Sequence, residues 1–469
     1  MGATVVAGGG ITGLIAGVVL AERGHEAGLV EREPEIGGLL RAFDHGEWGR
    51  FDYGMHTMFE TSIARLDAFL FGLLPADEWE ISAGNSRDLA GVYARGRLQR
   101  NSPYVDLRDL PANDRARFTA EIIERAAATP APRHPGATAA ASAAEYFERR
   151  FGPALTALVF EPAMRKLYRR PGADLSPLAA RIVPLDRVLL WDEEEALLRT
   201  ETEAGLRAVV GYPEQRTLPP GRSSGRRTFY PRQYGMFRVL AALERRLLAA
   251  GARIVVGCEI GDLVADGGAV RSLELRLGTT TERVSAVDLL VWTAGLPALA
   301  ALGGVPLPGR PDPASVTSVV CIATEGPLAV GDLHYYYSFE PGTSTYRVTT
   351  PAGYCSGAAR NGGEPATVEL LLDPSAGVTV EQAEQIALAE LRATGALTTE
   401  NRVLFCRAEH LKAGFPMPSV RNAALVDTLR NGMTALELGN LVTAGVLASP
   451  GVFFQTDVIT DLWHKLEKH

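Results

Sequence analysis

The segment Thr4–Glu31, TVVAGGGITGLIAGVVLAERGHEAGLVE, reads as one βαβ unit and constrains the rest of the chain. Thr4–Ala7 is a short apolar strand, and Gly8, Gly10 and Gly13 form G-x-G-x-x-G at its exit. Leu14, Ile15, Val18 and Val19 then recur at helical spacing, Gly24 stops the helix, and Ala27–Val30 is the second strand, with Glu31 at its end. The glycines have separate mechanical roles. Gly8 makes the tight turn, Gly10 lets a pyrophosphate approach the backbone, and Gly13 lets helix pack on strand. The helix start, with Ile11 and Thr12 in its first turn, offers free N–H groups and a positive dipole end to phosphates. Glu31 can accept hydrogen bonds from ribose hydroxyls. Strand, turn, helix, strand and acid in this order predict dinucleotide binding. A glycine-rich turn in an ordinary α/β domain is the plainer alternative.

Arg32-Glu33-Pro34-Glu35-Ile36-Gly37-Gly38-Leu39-Leu40 follows. A Gly-Gly pair just past the acidic strand end resembles the extended signature of FAD proteins with the glutathione-reductase-type fold. Without a Cβ, Gly37 and Gly38 let the backbone lie against a cofactor.

The chain has 469 residues, which suggests two or three domains. Its net charge of −8 argues against nucleic acid as a partner but leaves room for a local basic pocket. Cys258, Cys321, Cys355 and Cys406 are far apart, so no zinc knuckle or dithiol pair is indicated and no metal site is expected. The apolar start lacks the basic stretch of a secretory leader, and no run of about 18 apolar residues suggests a membrane span. The cytoplasm is the expected compartment. Oligomeric state is not legible.

Residues 61–227 read as mainly helical, with helical patches at Ile63–Leu74 and Ala116–Ala128 and breaker-rich stretches at Thr129–Ser142 and Gly211–Arg227. An amphipathic helix carries Phe237, Leu240, Leu243 and Leu247; strands follow at Arg253–Val256 and Val287–Thr293. Residues 315–420 are β-rich, interrupted by one helix at Glu381–Thr394, and the chain closes with a strand, a glycine-bearing turn and an amphipathic helix. The expected fold is α/β: a glutathione-reductase-like FAD-binding Rossmann domain, discontinuous over 1–60, 228–314 and 421–469. The substrate domain would combine a helical part at 61–227 with an antiparallel sheet at 315–420. A ligand would then sit at the interface.

Several further segments resemble a flavoprotein superfamily that includes amine oxidases, protoporphyrinogen oxidases, phytoene desaturases and UDP-galactopyranose mutases. Phe51-Asp52-Tyr53-Gly54-Met55-His56 is similar to its F-D-x-G-x-H element beside the flavin, and Phe229–Met236 to its Y-P-x-G-G-M turn. Ile260 falls where a family backbone meets the adenine, and Leu438-Gly439-Asn440-Leu441 where relatives bind the ribityl pyrophosphate. The resemblance implies bound FAD, with contacts from Gly8, Gly10, Ile11, Thr12, Gly13, Glu31, Arg32, Gly38, Leu39, Gly54, Met55, Ile260, Asn440 and Leu441. The stretches at Arg87–Arg97, Glu161–Tyr168 and Thr345–Val348 lean toward the sugar-nucleotide members. The mutase pattern Gly-Arg-x-Gly lacks its arginine in Gly445–Phe454, which favours an oxidoreductase.

A flavin carries the redox chemistry, so the protein's candidates are positional. His56 is the catalytic candidate, as acid/base or as a hydrogen-bond donor to the ring; a structural hydrogen bond is the alternative. Arg165, with Lys166, Arg169 and Arg170, offers a cationic helix for a phosphate or carboxylate, or else a solvated face. Arg347 lies in a strand with one face toward the cleft, or in a salt bridge. Tyr336 would form an aromatic wall and Phe453 a cap over the ring, against sheet and core packing; His334 and His410 are expected to be structural. The expected activity is oxidation of a small molecule, such as an amine or sugar nucleotide, by hydride transfer to FAD. A non-redox mutase using reduced FAD and a non-catalytic FAD-binding protein are the alternatives.

Overall fold

The computed structural model describes residues 3–128, 140–183, 185–223, 225–411, 414 and 416–469. Its organising element is a five-stranded parallel sheet in the order Arg253–Val255, Ala27–Val30, Ala3–Ala7, Val287–Trp292, Leu441–Thr443. Val5 pairs with Gly28 on one side and Leu290 on the other, so the N-terminal strand is central. Three distant stretches of chain thus build one sheet.

The two faces of that sheet bury different partners, as strand alternation requires. Val6 and Leu29 face a cluster containing the Ile11–Glu22, Phe237–Ala249 and Gln455–Leu466 helices. Val5, Ala7 and Val30 face the opposite way, toward Cys258, Leu273 and Leu299. That second layer includes an antiparallel meander, Cys258–Asp266, Ala269–Leu277 and Thr280–Ser285. The Ile11–Glu22 helix is buried on every side from Thr12 to Ala21. A helix apolar all round is a core helix, and Gly17 completes the fit: a Cβ there would lie 3.0 Å from Leu247.

The second large sheet has seven strands, ordered Val403–His410, Val316–Thr324, Glu364–Leu372, Thr345–Thr349, Tyr335–Ser338, Ala90–Ala94, Arg97–Gln99. It is antiparallel except where Tyr335–Ser338 runs parallel to Ala90–Ala94. The strands at Ala90–Ala94 and Arg97–Gln99 come from the region read as mainly helical, so the sequence expectation for 61–227 is corrected there. The helices expected in that region do form, at Ala64–Phe71 and Ala112–Ala128. The helix expected at Glu381–Thr394 spans Val380–Ala393, opened by a Thr379–Gln382 capping box. Of the stretch Thr129–Ser142, residues 129–139 lie outside the described residues. The four cysteines are free. Among the described residues no helix is long and apolar enough to cross a membrane, and no three His, Cys, Asp or Glu side chains converge as a metal site.

Candidate functional site

The N-terminal turn forms a backbone cradle. Gly8 has φ +101°, and a Cβ there would stand 2.6 Å from the Thr293 hydroxyl. At Gly13 a Cβ would fall 1.8 Å from the Gly8 carbonyl oxygen, so helix and strand touch backbone to backbone. Gly10 is different: nothing lies within 4 Å of its Cβ position, and this open side is where a pyrophosphate would run. The helix beginning at Ile11 has no side-chain cap and no acidic residue in its first turn. Its first N–H groups therefore remain available to an anion.

Glu31 locks this turn. Its carboxylate accepts from Gly9 N at 2.6 Å and from Glu33 N at 2.8 Å. Gly37 N donates to Gly9 O at 2.7 Å, and the Cβ position of Gly38 lies 3.2 Å from Gly10 Cα. The Gly37–Gly38 loop thus lies along the open edge of the cradle. Leu39 beside it is 52% exposed. Arg32 points outward and pairs loosely with Glu33 at 3.9 Å.

The loop Phe51–His56 is fastened on two sides. Underneath, Asp52 is buried and accepts from the Tyr230 hydroxyl at 2.7 Å and from Met236 N at 3.1 and 3.2 Å. Its own N–H donates to the Tyr234 hydroxyl at 3.2 Å. One carboxyl therefore ties the FDYGMH loop to the turn that starts the Phe237–Ala249 helix. Burial pushes the Asp52 carboxyl from 3.8 up to about 7, with the Tyr230 and Met236 hydrogen bonds and the Arg360 charge opposing.

From above, the loop meets the seven-stranded sheet. Arg347 donates to Glu369 through Nε at 2.7 Å and Nη2 at 3.0 Å, and Nη2 also reaches Met55 O at 3.4 Å. Glu369 accepts from Met55 N at 3.4 Å, and a Cβ at Gly54 would lie 2.9 Å from its carboxyl carbon. The pair is buried, with side chains 13% and 4% exposed. A register shift between Thr345 and Arg347 inserts Tyr346 as a bulge residue. The Arg347 guanidinium accordingly sits 5.9 Å from the Tyr337 ring and 5.8 Å from that of Tyr346. Half-buried beside this pair, His56 is held neutral: burial, then the positive Arg347, pushes its pKa down to about 3. Burial also raises the hydroxyls of Tyr335, Tyr337 and Tyr346.

Other sequence candidates are placed elsewhere. Tyr336 points away from this centre, 1% exposed in the core beneath the Val380–Ala393 helix, with its hydroxyl 3.3 Å from Thr394; strand alternation turns Tyr335 and Tyr337 to the other face instead. The expected basic cluster disperses. Arg165 is a surface side chain paired with Glu161 at 2.7 Å. The helix stops at Tyr168, and Arg169 beyond it turns left-handed (φ +55°) to reach Ser315 and Leu371. Lys166 turns inward to the carbonyls of Ser338 and Thr345, and Arg170 pairs with Asp312 at 3.0 Å. Asn440 spends its amide on the backbones of Val270 and Val287, joining the meander to the parallel sheet, while Leu441 opens the last strand. Ile260 is buried in the meander, two residues past Cys258, whose N–H donates to Glu31 O. Phe453 is buried, edge-on to the more exposed Phe454. His334 is buried against Tyr354, and His410 meets the Val378 carbonyl. Asp52 and Glu369 do not stand out from sequence as site residues. A lone Glu in the apolar run TVELLL signals a buried charge that needs a cation, and the strand YRVTT holds one.

A family model described as an NAD(P)-binding Rossmann-like domain matches residues 6–70. Among solved structures, a reduced UDP-galactopyranose mutase is similar over 100% of this chain and 96% of its own, at 20% identity and TM-score 0.73. The likeness extends over the whole chain and is one of fold. An Exiguobacterium protein assigned as a protoporphyrinogen oxidase is similar over 100% of this chain and 98% of its own, at 15% identity and TM-score 0.65. Cyclohexylamine oxidase from Brevibacterium oxydans is similar over 99% of both chains, at 14% identity and TM-score 0.58. No curated protein matches by sequence.

Gly13→Ala should cost about 3 kcal/mol in denaturant unfolding, because the Gly8 carbonyl must move. Gly10→Ala should leave that stability unchanged yet weaken dinucleotide binding roughly tenfold. Asp52 holds its proton more tightly folded than unfolded, so its stabilising contribution is full below 3.8 and lost as pH rises through about 7. The stability advantage of wild type over Asp52→Asn should shrink across that window in denaturant titrations. Arg347→Met should cost about 3–5 kcal/mol by stranding Glu369, and Glu369→Leu in the same chain should recover part of the loss.

Proposed function

We propose that this chain is an FAD-dependent oxidoreductase that takes a hydride equivalent from a small-molecule substrate. The observation carrying this reading is the double fastening of Phe51–His56, by Asp52 to the turn before the Phe237–Ala249 helix and by Arg347–Glu369 to the sheet. That helix packs in one core with the Ile11–Glu22 helix, so the glycine turn and the buried polar centre are held in one body, the relation an extended redox cofactor needs. The Rossmann match suits any dinucleotide; the Gly37–Gly38 loop along Gly9–Gly10 favours FAD.

In this reading Gly8, Gly10, Gly13 and the helix start at Ile11–Thr12 hold the pyrophosphate, and Glu31 the ribose. Gly38 and Leu39 flank the phosphates, and Gly54, Met55 and His56 border the ring. FAD, when bound, supplies the hydride-accepting ring. His56 stays neutral at physiological pH. It can offer one N–H and one lone pair, fixing an orientation without serving as a proton store. The Arg347–Glu369 pair is internally neutralised, so its role is to hold the loop and exclude water rather than to attract an anion. The high hydroxyls of Tyr335 and Tyr337 likewise keep them protonated as donors. With His56 held neutral, the substrate arrives already deprotonated or releases its proton elsewhere than to this imidazole.

A mutase-like rearrangement of a nucleotide sugar is a second reading, favoured by the full-length match to the mutase fold. The purified protein should show the two-band flavin spectrum, and a panel of amines and nucleotide sugars tested without oxygen should contain a compound that bleaches it. Turnover of a nucleotide sugar with neither bleaching nor acceptor consumption would instead support the mutase reading. His56→Gln should lower kcat roughly tenfold without displacing the pH profile between about 5 and 9.

A further inference from the structure

A cavity of about 460 Å³ lies next to this centre, between the segment before the Ala90–Ala94 strand and residues 187–223. Its lining includes parts of Gly84–Asp88 and Gly211–Ser223, with Ser102–Tyr104, Arg187 and Arg207, none of which takes part in holding the cofactor as proposed. Four guanidinium groups line it, from Arg87, Arg187, Arg207 and Arg222, against one carboxyl, that of Asp88. Only Arg222 makes an ion pair among the described residues, with the exposed Glu201 at 3.4 Å. Arg187 donates to the Tyr104 hydroxyl at 2.7 Å and to Arg207 O at 3.1 Å. Arg207 uses only Nε, toward Thr200 O at 2.7 Å, and Arg87 lies 5.4 Å over the Phe59 ring. In a chain of net charge −8, this is a concentrated positive lining with most of its N–H donors unspent.

A second observation is independent of the arginines. Ser102 lines the same cavity, is 0% exposed, and its hydroxyl has no hydrogen-bond partner. A buried orphan hydroxyl costs about 1–3 kcal/mol unless something satisfies it. A relay of side-chain contacts leads from the cavity to the proposed redox centre. Asp88 is hydrogen-bonded by Tyr335, whose ring meets Tyr337 edge-on at 5.3 Å, and Tyr337 faces Arg347.

We propose that this pocket anchors the phosphate or diphosphate end of the substrate, leaving its other end at the His56–Arg347 centre. A carboxylate presents two oxygens in one plane and suits a single guanidinium fork. Four forks from separate segments suit tetrahedral oxyanions. The volume holds a phosphate ester of small-ligand size, for which pockets of roughly 300–1,000 Å³ are usual. The assignment as a substrate anchor rests on the proposed flavin chemistry; the anion site itself does not.

The test is calorimetric titration of the FAD-loaded protein with pyrophosphate, the glycine cradle being filled. Saturable binding of one equivalent is expected, weakened about tenfold by Arg207→Gln and about tenfold by Arg187→Gln, with the flavin spectrum retained. Acetate should bind at least about tenfold more weakly than pyrophosphate. Arg207 is exposed and uses one backbone contact, so its variant reports on binding even if Arg187→Gln fails to fold. No saturable binding, binding unchanged in Arg207→Gln, or acetate binding as tightly as pyrophosphate would overturn the proposal. A colourless protein would defeat the flavin reading alone. In that case, pyrophosphate binding that survives Gly10→Ala and fails in Arg207→Gln still upholds the pocket, and the reverse pattern refutes it.

Discussion

The buried pair of Arg347 and Glu369 is the interaction on which the centre depends. Two charges removed from water are costly, and they persist only where geometry and added hydrogen bonds compensate them. Here Glu369 takes both Nε and Nη2 of Arg347, and each partner spends a remaining bond on Met55, one on its carbonyl and one on its N–H. The pair therefore has a consequence beyond its own sheet. It fixes the backbone of a loop that Asp52 ties to the turn before the Phe237–Ala249 helix. Gly54 shows how tight this is, since its φ of +113° and its contact with the Glu369 carboxyl leave no room for a side chain.

Asp52 makes the complementary fastening by different physics. It is bound directly by a tyrosine hydroxyl and a helix-start N–H, and burial outweighs these donors and the Arg360 charge, so its proton is hard to remove. The Phe51–His56 loop is thus held by a charged pair on one side and by a titratable carboxyl on the other. His56 at its tip is drained of basicity by the first of these. Burial lowers its proton affinity, and the Arg347 charge lowers it further. The geometry that positions the imidazole also removes it as a general base. The neutral-range proton transfer expected from a histidine by residue type is therefore lost in this environment.

What was legible in the sequence is what local chemistry determines. The first βαβ unit forms within a residue of its expected limits, because glycine spacing and apolar runs act over a few positions. The strands at Tyr335–Ser338, Thr345–Thr349 and Glu364–Leu372 follow from β-branched and aromatic content. What was not legible depends on partners far along the chain. Ala90–Ala94 becomes a strand by pairing with Tyr335–Ser338, and nothing in its own small residues announces that. The Val420–Ala435 helix escapes a sequence reading because only Leu425, Leu429 and Met433 are buried, a single narrow stripe among polar residues. Tyr336 and Arg165 stand out by residue type, yet strand parity decides which face Tyr336 serves, and a carboxylate four residues back claims Arg165.

The two halves of the centre divide their labour by chemistry. The dinucleotide cradle is almost wholly backbone: glycines, helix-start N–H groups and one carboxylate that braces the turn. Backbone recognition tolerates substitution only where no Cβ is introduced, so it specifies the phosphates and leaves the rest of the ligand undefined. The sheet side is built of side chains, an ion pair, tyrosines and an imidazole, and the arginine pocket continues the same surface through Asp88 and Tyr335. Side chains on a strand can change without moving the backbone that supports them. In the proposed reading the cofactor would be specified by the part of the chain that can change least. The substrate would be specified by Tyr335, Arg87, Arg187 and their neighbours, whose identities the fold does not dictate.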